Sequence, residues 1–165
     1  MELLFLLSAV ATVVFLIASY HDIRHRSIPN SLPVAVVAVA AVKWLLIGQF
    51  TPALWALAAA AAAFAVTAML FAQGWIGGGD VKLLSATIFF LGAPAAPRFL
   101  LLMALIGGVI AVLIMLAATR VRRRPAVETG APPAVSEAPT IPYGVAIATA
   151  AITVIALGRH GAWPA

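Results

Sequence analysis

From Leu3 to Tyr20 the chain carries no charged side chain. A stretch of about 18 apolar residues is near the minimum that crosses a bilayer as a helix. Further apolar runs follow at about 32–47, 53–72, 80–91, 98–119 and 141–157. The repetition predicts an all-α integral membrane protein with six transmembrane helices, forming one membrane domain over residues 1–165. Composition agrees. Hydrophobic residues make up 64% and charged residues 9% of the chain, against about 25% charged in a soluble domain. No stretch has the balanced polar surface of a second, water-soluble domain.

Several function classes fall away. Without cysteine there is no disulfide, thiolate metal site or cysteine nucleophile. His21 and His25 are four apart, but with no third evident ligand no metal site is expected. The net charge of +5 does not point to nucleic acid, because the basic residues flank membrane segments, where topology accounts for them. The start, Met1 to Phe5, lacks the positive region of a secretory signal, so the first run is expected to be an uncleaved span.

Between the runs the punctuation is informative. A charged loop, residues 21–30, is expected after the first helix. Ser31 can cap the second helix, with Pro33 in its first turn. Lys43 is expected to snorkel outward, with Trp44 at headgroup level. The alanine run 58–63 and the pair Gly107-Gly108 suit close helix approach. The fourth run is short: its 12 residues cover about 18 Å of a hydrocarbon core about 30 Å thick. The glycine stretch before it therefore lies by a wet pocket at one face, since irregular backbone at depth needs protein or water around it. Residues 120–140 begin with arginines and continue rich in Pro and Ala, predicting a mobile cytoplasmic linker whose arginines contact anionic lipid headgroups. Pro142 is expected in the first turn of the sixth helix. Basic residues concentrate after the odd-numbered helices, at Arg24, Arg26, Lys82 and Arg120 to Arg124. By the positive-inside rule those loops are cytoplasmic, and both termini lie outside.

The stretch Gly77-Gly78-Gly79-Asp80-Val81-Lys82 combines backbone freedom with one carboxylate and one ammonium. An ionisable group there marks a functional site. The other aspartate of the chain, Asp22, falls at the same face and a similar depth. Two carboxylates sharing a site can divide the labour of hydrolysis, one taking a proton from water while the other donates to the carbonyl oxygen. Helix dipoles would favour an ionised Asp80 at a helix start and a protonated Asp22 after a helix end, although Arg24 and Lys82 make the pair one coupled unit. Each residue has a plainer role as well: Asp80 as a helix N-cap, Asp22 as an ion-pair partner of Arg24 or Arg26. The glycine stretch lacks phosphate-loop spacing, and no Ser-His-Asp arrangement is readable.

Asp22-x-Arg24 followed by Ile28-Pro29-Asn30, the Gly77-Gly78-Gly79-Asp80-Val81-Lys82-Leu83-Leu84 stretch, and Ile141-Pro142-Tyr143-Gly144 together resemble the type IV prepilin peptidases. These are GxGD-type intramembrane aspartic proteases. The resemblance implies that Asp22 and Asp80 are the catalytic pair. It implies that Arg24, Ile28, Pro29, Asn30, Gly77, Gly78, Gly79, Lys82, Pro142, Tyr143 and Gly144 bind substrate or shape the site. The implied substrate is a prepilin or pseudopilin precursor, cut at the cytoplasmic face of a bacterial inner membrane without a cofactor. Larger members carry a cysteine-rich insert after the first helix and N-methylate the new terminus. The loop from His21 to Ser31 has no room for that insert, so the chain looks like the short, stand-alone form serving Flp-type pili. The competing readings are a proton- or cation-coupled transporter using the two aspartates, and a non-catalytic pilus-assembly scaffold.

Overall fold

The computed structural model describes residues 2–122 and 142–159. Six α-helices make up the fold: α1 (Glu2–His25), α2 (Ser31–Ile47), α3 (Phe50–Ala72), α4 (Gly78–Leu91), α5 (Ala96–Arg122) and α6 (Tyr143–Arg159), with a short 3₁₀ turn at Ala93–Ala95. No strand occurs among the described residues. Three stretches, Glu2–His25, Phe50–Ala72 and Ala93–Ala117, are long and apolar enough to cross a membrane, and α2 and α6 are shorter apolar helices. The outer surfaces are apolar too: Leu45 is 76% and Phe50 80% exposed. That coat suits acyl chains rather than water. The protein is an all-α membrane protein.

The shortest helix is the hub. Val81, Leu83, Leu84, Ser85, Ala86, Thr87, Ile88 and Phe90 of α4 are all buried, because α4 packs on α2, α3 and α6. α1 joins from the side, packing on α2 and α6 and contributing Phe15 and Ala18 to the core. Small residues of α6, Ala148, Ala150 and Ala151, are buried where backbones come close. The hydroxyls of Ser85 and Thr87 are buried within α4 and donate to the carbonyls one turn back, of Val81 and Leu83.

Element boundaries depart from the hydropathy pattern in informative ways. α1 does not end at Tyr20 but runs on to His25, so Asp22 and Arg24 sit on a helix rather than in a loop. Polar side chains near a membrane face do not break a helix, and Arg24 and His25 favour its negative end. His21 and His25 consequently stack, ring centroids 5.4 Å apart. The helix stops at Arg26, whose φ of 51° is left-handed and whose N–H donates to the Asp22 carbonyl at 3.0 Å. α2 begins at Ser31, which does not cap it; Asn30 occupies the cap position, with no side-chain cap bond. α3 starts at Phe50 rather than Ala53, since Pro52 is tolerated in a first turn. α4 starts at Gly78, with Gly77 as N-cap, which puts Asp80 inside the first turn. At 14 residues it is about 21 Å long, still short of a bilayer core.

α5 starts at Ala96 and carries on through Arg122, so the first residues of the expected linker are helical. Pro142 precedes α6 instead of lying in its first turn. The rest of that linker, residues 123–140, lies outside the described residues, as does Ile141.

Lys43 does not snorkel outward. Its ammonium donates to the Phe90 carbonyl at 2.6 Å, and the Trp44 indole N–H donates to the Phe89 carbonyl at 2.9 Å. The reason lies in α4: its last carbonyls have no intrahelical partner and need donors from elsewhere at that depth.

Candidate active site

Three segments far apart in sequence converge at one end of the bundle: the last turn of α1 with the residues after it, the first turn of α4, and the start of α6. Ile28 locks them together. A Cβ added at Gly79 would lie 3.0 Å from the Ile28 Cβ, and one added at Gly144 would lie 2.8 Å from its Cδ1. Only glycine lets α4 and α6 approach the Ile28 side chain so closely.

Asp22 is buried, at 7% exposure. Its carboxylate accepts a hydrogen bond from the Val145 N–H at 3.3 Å and is also bonded by the Gly144 backbone. The free N–H groups of the first turn of α6 thus hold a carboxylate carried by α1. A Cβ at Gly144 would fall 2.9 Å from Asp22 Oδ2, so any side chain there displaces the carboxylate. The charge of Arg26 also acts on Asp22.

Asp80 accepts from the Gly77 backbone N–H, the reach of a carboxylate in the first turn back to the N-cap. Asp80 is therefore not the N-cap expected from the sequence, a position that Gly77 takes, but reaches back to it from within the first turn. That bond is not the whole of its environment, because the charge of Asp22 acts on it as well. The two aspartates come from α1 and α4, Asp80 following Gly79 and Asp22 abutting Gly144, the two glycines that pack on Ile28. A Cβ at Gly77 would lie 3.0 Å from Asp80 Oδ2, and one at Gly78 would lie 3.3 Å from the Phe71 ring. Each of the three glycines therefore has a distinct close neighbour.

Other residues singled out from the sequence fall at different distances from the pair. Lys82 donates to the Asn30 side-chain oxygen at 2.8 Å, tying α4 to the head of α2. Pro29 accepts from the Leu32 N–H at 3.1 Å and shapes the entry to α2. Tyr143 opens α6 and lies against Gly107 of α5. Pro142 sits just before α6. Arg24 is exposed, and two residues along a helix from Asp22 it faces away from the carboxylate. Sequence reasoning missed the Val145 N–H, for which no side-chain signal exists. It also missed the role of Lys43 and Trp44, although a lysine within an apolar helix was the available signal.

The sequence profile of the type IV leader peptidase family matches residues 9–112, well over half of the chain. The chain belongs to the type IV leader peptidase family. The match takes in Asp22, Ile28, Pro29, Asn30, the glycine stretch and Asp80, and stops short of Tyr143 and Gly144. No curated protein and no solved structure gives a significant match. A leader peptidase hydrolyses a peptide bond, and this one does so from within a membrane protein. The converging segments, joined by Ile28 and carrying two carboxylates, are its candidate active site.

Proposed function

We propose that the protein is an aspartic endopeptidase that removes the leader from prepilin or pseudopilin precursors, using Asp22 and Asp80 as its catalytic pair. The observation that carries this reading is the convergence of two carboxylates from separate helices: Ile28 packs against Gly79, the neighbour of Asp80, and against Gly144, which abuts Asp22, and the charge of Asp22 acts on Asp80. Like charges at close range do not ionise together, so over a range of pH one holds a proton and the other does not. The ionised carboxylate takes a proton from water as the water oxygen attacks the scissile carbonyl. The protonated one gives its proton to the carbonyl oxygen. When the tetrahedral intermediate collapses, the C–N bond breaks and the proton taken from water passes to the leaving amine. The products are a carboxylic acid and a free N-terminus, and the dyad regains its starting protonation. This is the division of labour between paired aspartates in general.

The precursor's apolar helix stays among lipid and the apolar faces of the bundle, and the cut falls at the cytoplasmic face of the inner membrane. Flp-type pili fit best a chain with no cysteine-bearing insert between α1, which ends at His25, and α2, which begins at Ser31, and N-methylation of the product is not expected. Co-expression with candidate Flp-type precursors, followed by a gel shift and mass analysis of the product, tests this. Conversion to the shorter form with an unmethylated terminus supports it. Intact precursor across all candidates refutes the substrate class, and a methylated terminus refutes the single activity.

A further inference from the structure

The structure shows α4 held at both ends by one neighbour. At the site end, Ile28 packs on Gly79, and Asn30, at the head of α2, receives the Lys82 ammonium at 2.8 Å. At the far end, Lys43 and Trp44, in the last turns of α2, donate to the Phe90 and Phe89 carbonyls at 2.6 and 2.9 Å. The Ile88 carbonyl is taken by the Gly92 N–H at 2.9 Å. Three of the last four carbonyls of α4 therefore have donors, two of them from another helix. Lys43 also lies 4.8 Å from the Trp44 ring centre and 5.0 Å from that of Phe90, which holds the ammonium over the helix end.

Side chains pack that end as well, with Phe90 and Ala95 buried in the core, but the donors to its backbone carbonyls come from α2 and Gly92. Phe90, Leu91 and Ala95 border an open cavity of about 1260 Å³, walled by the first turns of α1 and the last turns of α6, and Lys43 lines it too. A helix too short for the bilayer thus ends beside an open cavity. Its carbonyls would otherwise meet lipid, where no donor exists.

We infer that Lys43 and Trp44 are positioning residues for the reaction: α2 is a splint that sets the axial height of α4, and with it the height of Asp80 against Asp22. The inference rests on the reading of Asp80 as a catalytic carboxylate. From Phe90 to Asp80 is ten residues, about 15 Å along the helix. α4 is a rigid, buried rod over that length, so a shift at one end is carried to the other. Misplacement of a catalytic group by about 1 Å can cost 100-fold in rate, which is the scale at which an unclamped helix end would be felt.

The test uses Lys43→Met, which keeps the apolar stem and removes the donor, Lys43→Arg, which restores one, and the milder Trp44→Phe. Cleavage kinetics are read beside amide hydrogen exchange across residues 78–82, measured without substrate. Lys43→Met should lower kcat roughly 10- to 100-fold at unchanged KM and speed exchange at residues 78–82. Trp44→Phe should do both to a smaller degree, and Lys43→Arg should recover both. If Lys43→Met fails to fold, Trp44→Phe carries the same comparison. Faster exchange confined to residues 89–92, with kcat unchanged, reduces the pair to a local cap and overturns the inference. Cleavage by Asp80→Asn would instead sink the catalytic reading, while the exchange result would still decide whether α2 sets the height of α4.

Discussion

At Gly144 a single hydrogen separates a carboxylate held by the backbone of α6 from a displaced one. A Cβ at this position would lie 2.9 Å from Asp22 Oδ2 and 2.8 Å from Ile28 Cδ1, so Gly144→Ala must push the Asp22 side chain aside. The expected result is a fall in kcat of about 100-fold with the thermal midpoint in detergent little changed, because the atom that yields is the end of a side chain. Gly108→Ala is the control: nothing lies within 4 Å of a Cβ there, so kcat should stay at the wild-type value while the midpoint holds or rises slightly, as alanine favours a helix interior. The pair also sets the shape of the pH dependence. If cleavage runs through the proposed dyad, it needs one carboxylate protonated and one ionised, so the rate should fall at low pH, when both are protonated, and at high pH, when both are ionised. A profile with only one limb over the range where the fold is intact would mean that one carboxylate does not titrate in the reaction. From sequence, Asp22 and Asp80 stand out by their rarity, the two aspartates of the chain. The backbone N–H groups that hold Asp22 do not, because every residue but proline carries the same donor.

The helices themselves were legible because apolar length is a direct consequence of bilayer thickness. Their ends were not. Hydropathy falls at Tyr20, yet α1 continues to His25, since a helix ends where the backbone turns, at Arg26, and not where polarity begins. The same blindness hid the far end of α4: its acceptors are main-chain carbonyls of Phe89 and Phe90, and only a lysine within the apolar α2 hinted that an acceptor was needed. Gly92 closes that end with a φ of +97°, a conformation that costs a non-glycine residue about 1–3 kcal/mol. Gly92→Ala should therefore lower stability by about that amount. Unfolding in detergent, followed by helical circular dichroism, measures it. An unchanged midpoint would show that the turn relaxes without cost.

At the scale of the whole molecule, six apolar helices leave their greasy faces outward and bring their few polar groups together at α4. That arrangement makes topology testable. The chain contains no cysteine, so single cysteines report without interference. Ser27, after α1, and Gln49, between α2 and α3, are both exposed and belong to opposite ends of α2. A membrane-impermeant maleimide added to intact cells should label Gln49→Cys and leave Ser27→Cys unlabelled until the membrane is opened. The reverse pattern would place the aspartates on the outer face. The claim beneath all of this is that Asp22 and Asp80 together hydrolyse the leader. It is tested most directly by scoring precursor conversion with Asp22→Asn and Asp80→Asn, each shown to insert and fold as wild type. The account predicts that neither variant converts any precursor; conversion at the wild-type rate by either one would contradict it.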